Sequence, residues 1–130
     1  MAGDSVEAVR RLYRAFNERD TEAARELMDP DIEWVNPDDA IEPGTRHGYG
    51  EYQEALQSLR ETFDRMAIEV ERIEASGDRV AVGLTIRARG RGSGLEAAMR
   101  QGGLWTFREG RAVRYEWFGD PDRPFELLRG

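Results

Sequence analysis

Six large aromatic residues, Tyr13, Trp34, Tyr52, Trp105, Tyr115 and Trp117, fall at positions whose periodicity turns them inward in their elements. Each has an apolar body and, at its tip, a hydroxyl or indole N–H that seeks a partner when buried. The set therefore reads in two ways: as packed core, or as the wall of an apolar pocket with a few polar points. Phe16, in the apolar stripe of the first helix, joins the same candidate group. Asn36 and Gln101 place amides on inward faces, where a group left unpaired costs about 1–3 kcal/mol. Trp34 beside Asn36, with Tyr115 and Trp117 opposite, favours the pocket. Acid–base chemistry has fewer candidates. His47 is the only histidine, and an imidazole titrating near neutrality suits a general acid or base. It also reads as a solvated loop residue. Asp38 and Asp39 lie close in sequence and are placed to orient it, or simply to face water. His47, Asp38 and Tyr13 are thus the weak catalytic candidates.

Three absences narrow the chemistry further. There is no cysteine, which removes thiol nucleophiles, disulfides and thiolate metal sites. All 19 basic residues are arginine, so neither a Schiff base nor a lysine general base is available. A single histidine cannot form a two-histidine metal motif within one chain. No metal site and no cofactor is expected. Asp29, Asp31 and Glu33 begin like a calcium loop, but Trp34 takes the glycine position and Ala40 the terminal glutamate position.

The 130 residues are expected to form one domain, residues 1–130, large enough to bury a core without staples. The net charge of −7 is uneven: residues 1–64 hold 16 acids and 7 arginines, residues 65–130 hold 10 acids and 12 arginines. Most of this surface repels a phosphate backbone, so nucleic acid is not an expected partner. No apolar run approaches the roughly 18 residues that span a bilayer, and no signal-peptide core precedes the first helix. The expectation is a cytoplasmic protein without membrane contact.

The positioning elements follow from periodicity. Val6, Val9, Leu12, Tyr13 and Phe16 make one stripe of a helix opened by Asp4 or Ser5. A shorter helix after Asp20 turns Ala23, Ala24, Leu27 and Met28 inward and is stopped by Asp29-Pro30. Ile32, Trp34 and Asn36 share one face of a short strand ended by Pro37, and residues 37–48 read as an irregular Pro/Gly loop. A third helix from about Gly50 to Phe63 carries Tyr52, Ala55, Leu56 and Leu59 on one side. From Arg65 the period changes to two. Four strands follow, separated by Ser76-Gly77-Asp78, by Gly90 to Gly94 and by Glu109-Gly110. Such short connections make them antiparallel neighbours. Val80, Val82, Leu84 and Ile86 compete with Arg87 for the inward side, and its facing stays open. Arg123 to Arg129 forms a closing helical turn. The fold class is α+β: three N-terminal helices packed on a curved antiparallel sheet.

This ordered pattern resembles the SnoaL-like branch of the NTF2-like superfamily, a cone-shaped α+β fold. The resemblance is carried by residues 9–20, Val-Arg-Arg-Leu-Tyr-Arg-Ala-Phe-Asn-Glu-Arg-Asp, and residues 27–34, Leu-Met-Asp-Pro-Asp-Ile-Glu-Trp. Residues 47–52, His-Gly-Tyr-Gly-Glu-Tyr, residues 104–113 and residues 116–120, Glu-Trp-Phe-Gly-Asp, complete it. It implies a pocket between the helices and the concave sheet face, and a homodimer through the outer sheet face. It does not imply one activity, because the fold hosts isomerases, cyclases, hydrolases and non-catalytic binders. Ketosteroid isomerases place an aspartate base before a proline at the end of the first strand; here Asn36 precedes Pro37, and an amide abstracts no proton. Their oxyanion aspartate falls near Gly103. The helix-1 tyrosine is nearly matched by Tyr13. The last-strand aspartate of limonene epoxide hydrolases falls near Trp117. The leading expectation is a protein that binds a small apolar organic ligand through Tyr13, Phe16, Trp34, Asn36, Tyr52, Gln101, Trp105, Tyr115 and Trp117. The alternatives are an isomerase, hydratase or cyclase with a histidine or carboxylate at the pocket mouth, and a non-catalytic dimerisation module.

Overall fold

The computed structural model describes residues 2–40 and 43–129. Helix α1 (Ala2–Glu18) buries Val9, Leu12 and Tyr13, the stripe expected from their spacing. The chain leaves it with Arg19 in the left-handed region, φ 58°. Helix α2 (Thr21–Glu26) then starts at Asp20, whose carboxylate accepts the Ala23 N–H at 3.1 Å. The proline expected to stop α2 instead lies inside strand β1 (Met28–Asn36). Its missing N–H is tolerated because the β1 pairing shifts register between Met28 and Glu33.

Residues 37–48 are not all loop. Strand β2 (Gly44–His47) pairs antiparallel with β1, and helix α3 (Gly48–Thr62) begins two residues earlier than its apolar face suggested. Ile41 and Glu42, within the expected loop, lie outside the described residues. A four-residue edge strand without apolar alternation leaves no local signature, and β1 supplies its register. Strands β3 (Phe63–Ser76), β4 (Arg79–Gly90), β5 (Glu96–Arg108) and β6 (Arg111–Phe118) form the expected antiparallel succession. Helix α4 (Arg123–Arg129) closes the chain.

The sheet order is β2-β1-β6-β5-β4-β3, and the sheet is mixed, since β1 runs parallel to β6. The expected purely antiparallel sheet is corrected there. The helix count is corrected too: two helices precede the first strand, α3 follows β2, and α4 lies on the opposite face of the sheet. The main core joins α1 and α3 to the inner face through Val9, Leu12, Leu56, Val80, Val82 and Leu84. A smaller core, Ala81, Leu104, Phe125 and Leu128, seats α4 outside. Gly102 permits that seat, because a Cβ there would stand 2.6 Å from Pro124 Cδ. The Arg72 guanidinium lies 3.9 Å over the Phe125 ring and ties β3 to the same helix.

The free edge of β3 is plugged from α1. The Asn17 amide donates to the Ile68 carbonyl and accepts the Ile68 N–H, each at 2.8 Å, as one residue of a neighbouring strand would. Asn17→Ala is expected to lower stability by about 1–2 kcal/mol for two lost hydrogen bonds. It should also speed exchange of the Ile68 amide above that of its strand neighbours. Unchanged exchange at Ile68 would show that the plug contributes nothing.

Candidate functional site

Register brings the aromatic residues together. Trp34 pairs with Arg46 on one side and with Tyr115 on the other, Tyr115 pairs with Trp105, and Trp105 pairs with Val80. Directly paired residues project to the same face, so Arg46, Trp34, Tyr115, Trp105 and Val80 form one row across the concave side. Gly103 pairs with Trp117, and Gln101 with Leu84, one and two steps further along β5. Period-two alternation keeps all of these on the inner face.

The rings form a continuous chain. Centroid separations are 6.0 Å for Tyr49–Tyr52, 5.0 Å for Tyr52–Trp34 and 4.7 Å for Trp34–Tyr115. They continue at 4.3 Å for Tyr115–Trp105 and 6.0 Å for Trp105–Tyr13, where the rings meet edge to face at 82°. Gly103 makes room for this chain. A Cβ at that position would stand 2.7 Å from both Cε1 and the hydroxyl of Tyr115, so only glycine lets the phenol lie down on β5.

The rings leave a hollow of about 450 Å³ between the sheet, α1 and α3. That is a volume suited to a small organic molecule. All nine residues expected to bind a ligand line it: Tyr13, Phe16, Trp34, Asn36, Tyr52, Gln101, Trp105, Tyr115 and Trp117. The remaining wall is largely aliphatic, from Leu12, Leu56 and Leu59 on the helices to Ile68, Leu84, Ile86 and Met99 on the strands. Met99 stands half exposed and marks the mouth. Arg46 also lines the hollow. The sequence reading missed it, because its facing depends on a strand that only the pairing with β1 reveals. Leu84 and Ile86 take the inward side of β4 for which they compete with Arg87, and both line the hollow.

The polar points are ordered. Asn36 Oδ1 accepts both the Trp34 indole N–H at 2.9 Å and the Trp117 indole N–H at 2.6 Å. One amide thus fixes two rings that are far apart in sequence. The Trp105 indole N–H donates to the Tyr13 hydroxyl at 3.1 Å. Burial pushes the Tyr115 phenol up to about 12. Burial and then the neighbouring Tyr115 also raise Tyr13 and Tyr52 well above the ordinary tyrosine range. The three phenols stay protonated donors through the neutral range.

Of the catalytic candidates His47, Asp38 and Tyr13, only Tyr13 reaches the hollow. His47 is exposed at the end of β2, where its backbone N–H donates to Glu51 Oε2 at 3.1 Å. Asp38 is exposed in the turn after β1, and neither residue lines the hollow. Arg87 points outward, where it pairs with Glu69 at 2.9 Å on the convex face. Among the described residues, no cluster of three or more His, Cys, Asp or Glu could hold a metal ion. No helix there is long and apolar enough to cross a membrane.

A helix-backed, curved mixed sheet enclosing an aromatic hollow is the NTF2-like architecture. The chain belongs to the SnoaL-like domain family, whose model matches residues 9–115. Among solved structures it is similar to an NTF2-like protein of unknown function from Burkholderia pseudomallei K96243. That pair is 27% identical, covers 100% of both chains and has a TM-score of 0.80. TerC, crystallised with polyporic acid, is 29% identical over 98% of this chain and 99% of its own, also at 0.80. A putative SnoaL-like polyketide cyclase from Jannaschia sp. CCS1 shares the fold at a TM-score of 0.80, with 22% identity over 90% of this chain and 85% of its own. No curated protein matches the chain at a significant level.

Proposed function

We propose that the protein binds a small, flat, predominantly apolar organic molecule in the aromatic hollow. The observation that carries this reading is the hollow itself: about 450 Å³ left open between rings that hydrogen bonds and a close approach at Gly103 hold in place. Aromatic side chains serving only as core would close such a space, since interiors pack to crystal-like density. A relative of 29% identity that was crystallised with polyporic acid supports an organic ligand here and supplies the first compound to test. The acid–base reading has less behind it. Among the described residues, no carboxylate or imidazole lines the hollow.

All three tryptophans line the hollow, so intrinsic fluorescence reports its occupancy directly. Titration with polyporic acid and a panel of aromatic ketones and phenols is expected to give saturable quenching at micromolar concentrations. Ala55→Phe, which projects a ring from α3 into the space, should abolish it with the circular dichroism spectrum unchanged. An unsaturable response to every compound, or full binding by the filled variant, would overturn the reading.

A further inference from the structure

A strand that outruns its neighbour leaves main-chain donors and acceptors without protein partners. Strand β5 does so over almost half its length. Its pairing with β4 runs from Glu96 to Thr106, but its pairing with β6 begins only at Gly102, opposite Phe118, where the last strand ends. Residues 96–101 are therefore paired on one side alone. The Leu95 carbonyl accepts the Gly90 N–H at 2.8 Å, and the Phe107 N–H donates to the Asp78 carbonyl at 2.8 Å. Odd-numbered residues of this strand thus turn their main-chain groups toward β4, and alternation aims those of Glu96, Ala98 and Arg100 at the open edge. Each residue from Glu96 to Arg100 is exposed. The exposed large apolar side chains among the described residues, Leu95 at 75% and Met99 at 49%, both lie on this stretch. The other edges are protected. Strand β2 has four residues, and β3 carries two register shifts and the Asn17 plug. The open half of β5 has no proline, no register shift against β4 and no side chain bonded across it.

We propose that this edge pairs with the same edge of a second copy of the chain, antiparallel about a two-fold axis at Ala98. The segment is self-complementary in that register. About the axis Glu96 faces Arg100 of the second copy, Ala97 faces Met99, and Ala98 faces its own counterpart. Met99 and Gln101 line the hollow, so Ala97 shares their inner face, while Glu96, Ala98 and Arg100 take the outer one. Directly opposed residues project to the same side, so each carboxylate meets a guanidinium, and the small Ala97 seats the long Met99. Neither Glu96 nor Arg100 has an ion pair or hydrogen bond within its own chain. Arg89, opposite Glu96 on β4, is taken by Asp64. Shifting the register by two residues in either direction sets Glu96 or Arg100 against Ala98 and loses both ion pairs. The open amides of Glu96, Ala98 and Arg100 then bond across the axis and continue the sheet from one copy into the other. The two hollows come to lie mouth beside mouth, because Met99 and Gln101 belong to both edge and wall. This contact uses the strand edge, not the outer sheet face through which the family resemblance implies a homodimer. It stands independently of the ligand-binding reading.

Analytical ultracentrifugation of the full chain, from micromolar to millimolar concentration, tests the pairing. The mass is expected to double as concentration rises, from monomer to dimer or, with the outer face also paired, from dimer to tetramer. Glu96→Arg and Arg100→Glu should each weaken this step about tenfold, since each turns both ion pairs into like-charge pairs. The double exchange should restore it, and an equimolar mixture of the two single variants should associate where neither does alone. Ala98→Pro should abolish the step. Its N–H points away from β4, so thermal unfolding below the association range should stay as in the unaltered chain. A mass that is constant over the whole range would overturn the proposal. So would an association that the single exchanges leave unchanged, or one that the double exchange fails to restore. Tryptophan titration reads the hollow separately, so either outcome here leaves the ligand-binding reading to its own test.

Discussion

Trp105→Ala is expected to cost the fold about 3–5 kcal/mol, the usual range for removing a large buried ring. Trp105 is only 3% exposed and sits where three elements meet. Its ring lies 4.3 Å from that of Tyr115 at a tilt of 41°, stands edge-on to Tyr13 and pairs with Val80 of the neighbouring strand. The surroundings cannot collapse into the gap, because the ring borders a space that is already open. A domain of this size has about 5–15 kcal/mol of stability in all, so the variant should unfold at a far lower urea concentration. Trp105→Phe separates packing from hydrogen bonding. It keeps most of the ring and loses only the donor to Tyr13, so it should cost well under half as much. A loss below about 1 kcal/mol for Trp105→Ala would show that the ring is not packed as described.

Alkaline pH should unfold the protein through the same tyrosines. The Tyr115 phenol is raised from the ordinary 10.0 to about 12 in the folded chain. Below pH 10 both folded and unfolded chains hold the proton and stability is whole. Between pH 10 and 12 the unfolded chain has released it and the folded chain has not, so stability drains as pH rises. Two units correspond to about 3 kcal/mol for Tyr115 alone. Tyr13 and Tyr52 shift in the same direction, and the loss continues while each remains protonated only in the fold. The composition makes the experiment clean. With no lysine and no cysteine, tyrosines are the only side chains that titrate between pH 9 and 12. Urea denaturation across this window should show a falling midpoint, with a shallower slope for Tyr115→Phe. Tyrosinate absorbance of three of the four tyrosines should appear only with unfolding. Constant stability to pH 12 would contradict the burial of these hydroxyls.

Much of the site was legible because its residues lie in elements with strong periods. The 3–4 spacing from Val9 to Phe16 and the alternation through β4, β5 and β6 state which side chains face inward. With the alternation in β1 and the apolar face of α3, it turns all nine ligand-binding candidates inward. Local patterns do not state which inward residues become neighbours. The parallel pairing of β1 with β6 joins segments about eighty residues apart, and without it Trp34, Asn36, Tyr115 and Trp117 have no common centre. The antiparallel pairing of β2 with β1 turns Arg46 inward, in a stretch that reads as loop. His47 looked chemically suited by residue type, and the backbone direction at the end of β2 leaves it in water.

The sequence by itself determined the element order, the inward faces and the removal of lysine, cysteine and paired-histidine chemistry, because composition and period are properties of short stretches. Tertiary structure alone decided that the rings enclose a space rather than fill it. Gly103 lets Tyr115 lie flat, Asn36 ties together two indoles distant in sequence, and the Trp105 indole bonds the Tyr13 hydroxyl from sheet to helix. Each of these depends on contacts between distant segments, which exist only once the sheet has closed its register.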